Sequence, residues 1–300
     1  MNVDFELYKV FYYVAKNLSF SEAANFLFIS QSAVSQAIKL LEEKLQTKLF
    51  FRNTKQVKLT REGETLFQYV EQAFNLIKSG ERSLKELNYL TKGEVKIGAS
   101  DTICKHHLLP YFKKFNQLYP QIKIQITNRT SLNCIELLKK GNIDMAVINL
   151  PQKENYKHLT VEKLKTVQDV FVAGKNYQHL KNRTVSLKEL ITYPILVLEK
   201  NSVTREFFDN LLEKNGLKIT PEIELGSVDL LIDLTKIGLG ISFVIKEYVE
   251  KELANQELFI INLKEKIPPR YLGIVTNNHL PLPLAAQKFV ELMHDKSSNF

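Results

Sequence analysis

Between Ser30 and Leu45 the chain interleaves Gln31, Ser32, Ser35, Gln36 and Lys39 with an apolar series, Val34, Ile38, Leu41 and Leu45, at helical spacing. That spacing buries the apolar face and leaves the polar side chains on others. A glutamine amide can bond adenine, a serine hydroxyl reaches bases or phosphates with less discrimination, and Lys39 is placed to reach phosphate. Short polar groups at the N-terminal end of a helix are what the major groove of duplex DNA requires. Immediately downstream, Lys44, Lys48, Arg52, Lys55, Lys58 and Arg61 occur with no acidic residue among them. Arg52, Lys55 and Lys58 would touch backbone or minor groove, adding salt-dependent affinity with little sequence information. The ordinary alternative for such a run is a solvated charged face.

A second set of polar groups falls at junctions where a strand gives way to a helix: Ser100-Asp101-Thr102, Thr130-Ser131 and Ser202-Val203-Thr204-Arg205. Helix N-termini present free N–H groups and a positive dipole end, which suits a bound anion. Taken singly, each is also an ordinary helix cap; together they favour a pocket. Asp101 would repel an anion at short range, so an inward Asp101 favours a ligand with an amino group and an outward one leaves a plain carboxylate open. Arg129, Arg205 and Arg270 are candidate counter-charges, Arg205 first by position. Cys104, His106 and His107 are close in sequence, yet adjacent histidines on a helix point about 100° apart and a soft metal wants more ligands. No metal or other cofactor is expected. Nor is there a nucleophile motif, a paired acid and base, a phosphate-binding glycine loop or a dinucleotide fingerprint, so catalysis is not indicated.

The elements that must hold these residues follow from periodicity. A first helix runs from Phe5 to Val14 behind Asp4; Ser19 and Glu22 have capping-box spacing ahead of a second; Ser30 caps the third. The period then changes to two, with Leu49 and Phe51, a turn at Asn53-Thr54-Lys55, and Val57 and Leu59, which predicts a hairpin or wing. Thr60 caps a long helix to about Leu90. Along it Leu66, Val70, Ala73, Ile77, Gly80, Leu84 and Leu87 alternate spacings of four and three, a coiled-coil seam suited to dimerisation; a helix packed on its own domain is the alternative. From Glu94 onward strands and helices alternate, which predicts a parallel α/β sheet in two lobes with a cleft between. The segments Tyr271–Val275 and Leu284–Met293 are expected to return to the first lobe.

Length and composition bound these readings. A chain of 300 residues fits two or three domains, and 44% hydrophobic with 25% charged residues is globular. The net charge of +8 invites a polyanion, but residues 1–92 carry only +3, from 13 Lys/Arg and 10 Asp/Glu, so the basicity is local. Two cysteines without a CxxC pair argue against a disulfide scaffold or structural zinc, and no run approaches the roughly 20 apolar residues of a membrane span. A cytoplasmic location is expected.

The run from Phe20-Ser21-Glu22-Ala23-Ala24 through Ser30-Gln31-Ser32-Ala33-Val34-Ser35, Ile38, Leu41-Glu42, Leu49-Phe50, Arg52, Leu59-Thr60 and Gly63 closely resembles the DNA-binding domain of LysR-type transcriptional regulators. The resemblance implies a winged helix-turn-helix over 1–60, a linker dimerisation helix over 61–92, and a two-lobed effector domain like periplasmic binding proteins over 93–300. Lobe I is then about 93–167 with 269–300, and lobe II about 168–268. It further implies that the three polar junctions, with Asn149 beside them, line the effector site. The implied partners are double-stranded DNA, a small carboxylate or amino acid, and further copies of the chain as a homodimer or homotetramer; RNA polymerase is left open. A solute-binding module or a cleft enzyme are the competing classes, opposed by the helix-turn-helix and by the lack of an acid, base or nucleophile set.

Overall fold

The structure, a computed structural model, describes residues 3–51, 56–88, 93–151 and 156–295, the side chains of 85–88 excepted. Two compact units follow one another along the chain, Met1–Arg82 and Ser83–Phe300.

In the first unit, α1 (Phe5–Asn17), α2 (Phe20–Leu27) and α3 (Gln31–Leu45) begin where Asp4, Ser19 and Ser30 accept hydrogen bonds from the N–H groups of Glu6, Glu22 and Ala33. These caps satisfy N–H groups that no helical carbonyl reaches. The three helices close on Val10, Phe11, Val14, Ala23, Val34 and Leu41, and Leu49 and Phe50 complete that core. Beyond α3 the predicted wing is confined, among the described residues, to one antiparallel bridge between Phe50 and Leu59, flanked by bonds from Phe51 N–H to Lys58 O and from Thr60 N–H to Leu49 O. Its turn, 53–55, lies outside them. The long helix α4 (Arg61–Asn88) starts where Thr60 Oγ1 accepts from Gly63 N–H.

The second unit runs β1 (Gly93–Ala99), α5 (Asp101–Ile103), a π-helical turn (Cys104–Leu108), α6 (Leu109–Leu118), β2 (Ile122–Asn128), α7 (Ser131–Lys139), β3 (Met145–Asn149), β4 (Leu159–Val167), β5 (Asp169–Ala173), β6 (Thr184–Val185), α8 (Leu187–Leu190) and β7 (Ile195–Leu198). It continues with α9 (Val203–Lys214), β8 (Ile223–Leu225), α10 (Val228–Lys236), β9 (Ile241–Ile245), a 3-10 turn (Lys246–Val249), α11 (Glu250–Ala254), β10 (Phe259–Leu263), β11 (Arg270–Asn277) and α12 (Leu284–His294). One sheet has the order β2-β1-β3-β11-β4, the other β6-β10-β5-β9-β7-β8. The chain therefore crosses between sheets twice, at Gln168 and between Leu263 and Arg270.

The expectation of parallel sheets is corrected. Strands joined through helices are parallel, β1 with β2 and β3, β7 with β8 and β9. At the crossings antiparallel pairs enter: β11 runs antiparallel to β3 and β4, and β5 to β9 and β10, while β10 also pairs parallel with β6. A helical crossover returns the chain to the start of the next strand, whereas a direct crossing between sheets delivers it reversed. Strands β4, β6 and β10 have no counterpart in the sequence reading.

A single buried cluster joins the facing sides of the lobes, with Val95, Ile97, Met145 and Val147 from one sheet and Val172, Leu196, Val244 and Ile245 from the other. The lobes are thus packed together at the crossings. Among the described residues no helix is long and apolar enough to cross a membrane.

Candidate DNA interface and interlobe site

On α3, Val34, Ile38 and Leu41 are buried while Gln31, Ser32, Ser35, Gln36 and Lys39 are exposed. The candidate readers therefore stand on one open surface, beside a groove that Ser35, Gln36 and Lys39 line together with Phe50, Phe51 and Val57 of the wing base. Two of them have neighbours: Ser32 Oγ lies 2.8 Å from Ser30 Oγ, and Lys39 Nζ is 3.8 Å from Glu43 in a loose, exposed pair. Lys58 is exposed; Arg52 and Lys55 lie outside the described residues.

What fixes the wing to α3 is Glu42, which the sequence reading did not single out as a functional residue. Its carboxylate is 2% exposed and accepts from the N–H groups of Leu49 at 2.8 Å and Phe50 at 3.3 Å, with Lys48 Nζ 3.0 Å away. A charge buried this deeply holds only where several donors replace its water. The signal in the sequence is slight: an acid directly after Leu41, on the edge of the apolar face.

The seam on α4 divides. Leu66 and Val70, together with Phe67 and Phe74, pack on the core of their own head. Ala73 is half-buried, Ile77 and Leu84 are 44% and 65% exposed, and open space surrounds Gly80. Tyr69 and Leu76, outside the predicted seam, are exposed beside them. At about 100° per residue, Tyr69, Ala73, Leu76, Ile77, Gly80 and Leu84 share one stripe, turned away from Phe67 and Phe74. The side chain of Leu87 lies outside the described residues.

In the second unit, Ser100, Thr130 and Ser202 each cap their own helix, accepting from the N–H groups of Ile103, Asn133 and Arg205. Asp101 is exposed, Thr102 half-buried, and Ser131, Asn149, Val203 and Thr204 are buried. Arg205, the first-ranked counter-charge, is committed elsewhere. Its Nε bonds Asp209 at 2.9 Å and its Nη1 bonds Glu224 at 2.6 Å and Leu198 O at 2.8 Å. Arg129 is exposed and bonds the carbonyl of Asn128.

Arg270 is a buried cation at the interlobe junction. It opens β11 and meets Asp169, which opens β5, through two bonds of 2.6 and 2.5 Å, the side chains 1% and 0% exposed. The pair ties one crossing to the other. Arg270 Nη2 also donates to Thr204 Oγ1 at 3.0 Å, and the guanidinium lies 4.8 Å over the Phe207 ring. Beside it Tyr248, buried in the 3-10 turn, has its hydroxyl pushed up to about 12 by burial and stays protonated.

The π-helical turn presents His106 and His107 to that tyrosine, their ring centroids 4.9 and 5.9 Å from it. Burial, with Lys165 and His106 adding to it, lowers His107 to about 4; burial and Lys105 lower His106. Both imidazoles are therefore neutral near pH 7. Burial likewise raises Cys104 to about 11 and Cys134 to about 12, so neither thiol is a nucleophile. Among the described residues no group of three or more His, Cys, Asp or Glu could hold a metal ion.

Comparison with known proteins assigns both units. Residues 5–64 match the bacterial regulatory helix-turn-helix protein, lysR family, and residues 90–298 the LysR substrate binding domain. The chain is 30% identical over 264 residues to a protein described as "Probable RuBisCO transcriptional regulator" from Cyanidium caldarium, covering 86% of this chain and 83% of the relative. To the HTH-type transcriptional regulator CysL of Bacillus subtilis it is 28% identical over 279 residues, 93% and 91% of the two chains. Among solved structures, full-length OxyR from Pseudomonas aeruginosa superposes with a TM-score of 0.69 at 19% identity, over 99% of this chain and 97% of that one. CbnR in complex with its target DNA gives 0.66 at 16% identity, over 98% and 99%. With a matched head, a matched two-lobed domain and relatives aligned across nearly their whole length, the chain belongs to the LysR family of transcriptional regulators.

Proposed function

We propose that the chain reads duplex DNA with α3 and reports a small-molecule effector held between its lobes. The domains are then the winged head over 1–60, the linker helix over 61–92 and the effector domain over 93–300. The observation that carries this reading is the exposed row Gln31, Ser32, Ser35, Gln36 and Lys39 on a helix whose other face is locked into the head core. Such a row meets base edges only if the helix enters the major groove, and the wing's basic residues then lie along the backbone. The exposed stripe of α4 supplies the contact for a dimer, whose two α3 helices address half-sites about one helical turn apart. Effector binding changes how the lobes are set, and by linkage DNA changes effector affinity in return. The chain acts in the cytoplasm on the cell's own DNA, and it is not an enzyme.

The test is binding of the full chain to genomic fragments at fixed salt, followed by footprinting. Gln31→Ala with Ser35→Ala is expected to weaken specific binding by roughly 1–3 kcal/mol for each base that is no longer read, while binding to random duplex changes little. An unaltered footprint would assign base reading to another element.

A further inference from the structure

Two histidines from separate elements meet at one end of the first lobe's sheet. His158 stands directly before β4 and His279 two residues beyond β11. His158 Nδ1 and His279 Nε2 are in direct contact, with the ring centroids 4.4 Å apart. The backbone builds this meeting. His158 takes a positive φ of 68°, a region that few residues other than glycine enter, although histidine is enriched there. Its carbonyl accepts from Asn278 N–H at 3.1 Å, and Asn277 Oδ1 accepts from His279 N–H at 3.0 Å. The turn after β11 is thereby tied to the residue before β4. His106 and His107, neighbours on one helical turn, instead both lie against the Tyr248 ring.

Two imidazole nitrogens that converge on one point are a chelate. In a neutral imidazole one nitrogen carries the proton and the other a lone pair. With the protons on the far atoms, His158 Nε2 and His279 Nδ1, both facing nitrogens offer lone pairs, and a cation belongs between them. Zinc–nitrogen bonds of about 2.0–2.1 Å at the tetrahedral angle set such nitrogens roughly 3.3 Å apart, a spacing that two exposed rings reach by turning slightly. Loss of water where the rings meet, then His279 and Lys157, lower the His158 pKa. Its ring is therefore neutral at pH 7, and no proton competes with a metal. Among the described residues no third His, Cys, Asp or Glu completes the set, so water takes the remaining positions. Imidazole selects zinc, nickel or copper, whereas carboxylate oxygens would select magnesium or calcium.

We propose that His158 and His279 form a two-imidazole site for a divalent transition metal of the zinc or nickel type, which fastens the start of β4 to the end of β11. The site is separate from the junction of the lobes and does not depend on what is bound there. Along the ladder, Arg270 pairs with Val167 at the crossings and Asn277 with Leu159 beside the histidines, so the two ends lie roughly 24 Å apart at about 3.4 Å per residue. Strand β4 is the edge of its sheet and is held there through β11. Both strands lead into the crossings. A metal at their far ends closes the ladder that carries the chain from one lobe to the other.

The experiment is equilibrium dialysis and calorimetric titration of the full, untagged chain with zinc chloride and nickel chloride, against magnesium chloride. One zinc or nickel ion is expected to bind per chain and to raise the melting midpoint, since the unfolded chain does not hold the two rings together. His158→Asn, which tolerates the positive φ, and His279→Gln are each expected to weaken that binding by about a hundredfold, the advantage of an intramolecular second ligand. Both rings are exposed, so circular dichroism of the metal-free variants should match the unaltered chain. His179→Gln and His294→Gln should bind zinc as before. Zinc is also expected to slow amide exchange at Thr160, next to the site on β4. No zinc bound with a Kd below about 1 mM would reduce the contact to a hydrogen bond between imidazoles and overturn the site. Binding unmoved in either His158→Asn or His279→Gln overturns the chelate, magnesium binding as tightly as zinc overturns the metal class, and unchanged exchange at Thr160 overturns the fastening of β4.

Discussion

At the scale of single residues, the Arg270–Asp169 pair carries a large penalty if only one partner is removed. Both side chains are shut off from water, so removing one partner leaves the other as a buried, uncompensated charge. Arg270→Met or Asp169→Leu alone should cost about 3–5 kcal/mol, while the double variant should recover most of it because no lone charge remains. Denaturant midpoints of the effector domain check this; a double variant as weak as the worse single one would mean that the pair supplies geometry rather than charge balance. His107 makes a prediction about pH. Its value in the folded chain is lowered to about 4, with His106, Lys165 and Tyr248 as neighbours, against about 6.5 when unfolded. Above pH 6.5 both states are neutral and nothing is lost. As the pH falls from 6.5 towards 4 the unfolded chain binds a proton that the folded one refuses, so stability declines across that window and levels off below it. His107→Gln should flatten the decline relative to the unaltered protein in unfolding curves taken at intervals from pH 7.5 to 4; parallel curves would place the histidine in water.

Among the elements, α3 and the wing base act as one piece because Glu42 spans them. Glu42→Ala leaves the buried N–H groups of Leu49 and Phe50 without an acceptor, about 1–3 kcal/mol for each orphaned group, and should lower the melting midpoint of the head together with its DNA affinity. Gly63→Ala is expected to act on the same joint from the other side. A Cβ there would sit 2.1 Å from the carbonyl oxygen of Leu49, which already accepts from Thr60 N–H, so backbone has to move. Head unfolding by circular dichroism checks both, and a Gly63→Ala head of full stability would show that the joint is slack. What could be read from the sequence follows the reach of each force. Helix α3 was legible because Val34, Ile38, Leu41 and the Ser30 cap are local signals. Strand β4 was not, since Leu159 and Val161 are followed by Lys163 and Lys165 on a half-exposed strand and only pairing with β11 makes them sheet. The same holds for the site: Ser100, Thr130 and Ser202 are visible as hydroxyls before helices and Arg270 as a candidate counter-charge, whereas its partner Asp169, 101 residues away, is not. Arg205 stands first by position, and position alone hides the carboxylates of Asp209 and Glu224 that bond it.

For the whole molecule, the division of labour along α4 decides whether one head can act without a second. Its first turns are committed to the head core, through Val70 and Phe74 at 7% and 8% exposure, while Ile77 and Leu84 stay open. A single head binds few phosphates and one short set of bases; two heads joined by a helix convert the second binding event into an intramolecular one, raising avidity by roughly 10²–10⁴ without any new contact to DNA. Replacing both Ile77 and Leu84 by Asp should therefore leave each head folded, since neither residue supports its core, yet shift the chain to monomers in sedimentation equilibrium and lower operator affinity by at least about a hundredfold. Val70→Asp should instead unfold the head itself, as burial of an unpaired carboxylate demands. Assembly and head stability are then separable by position on one helix. Were the Ile77 and Leu84 double variant to keep its native mass, subunit contact would have to run through the effector domains, and the spacing of the two α3 helices would be set there rather than by α4.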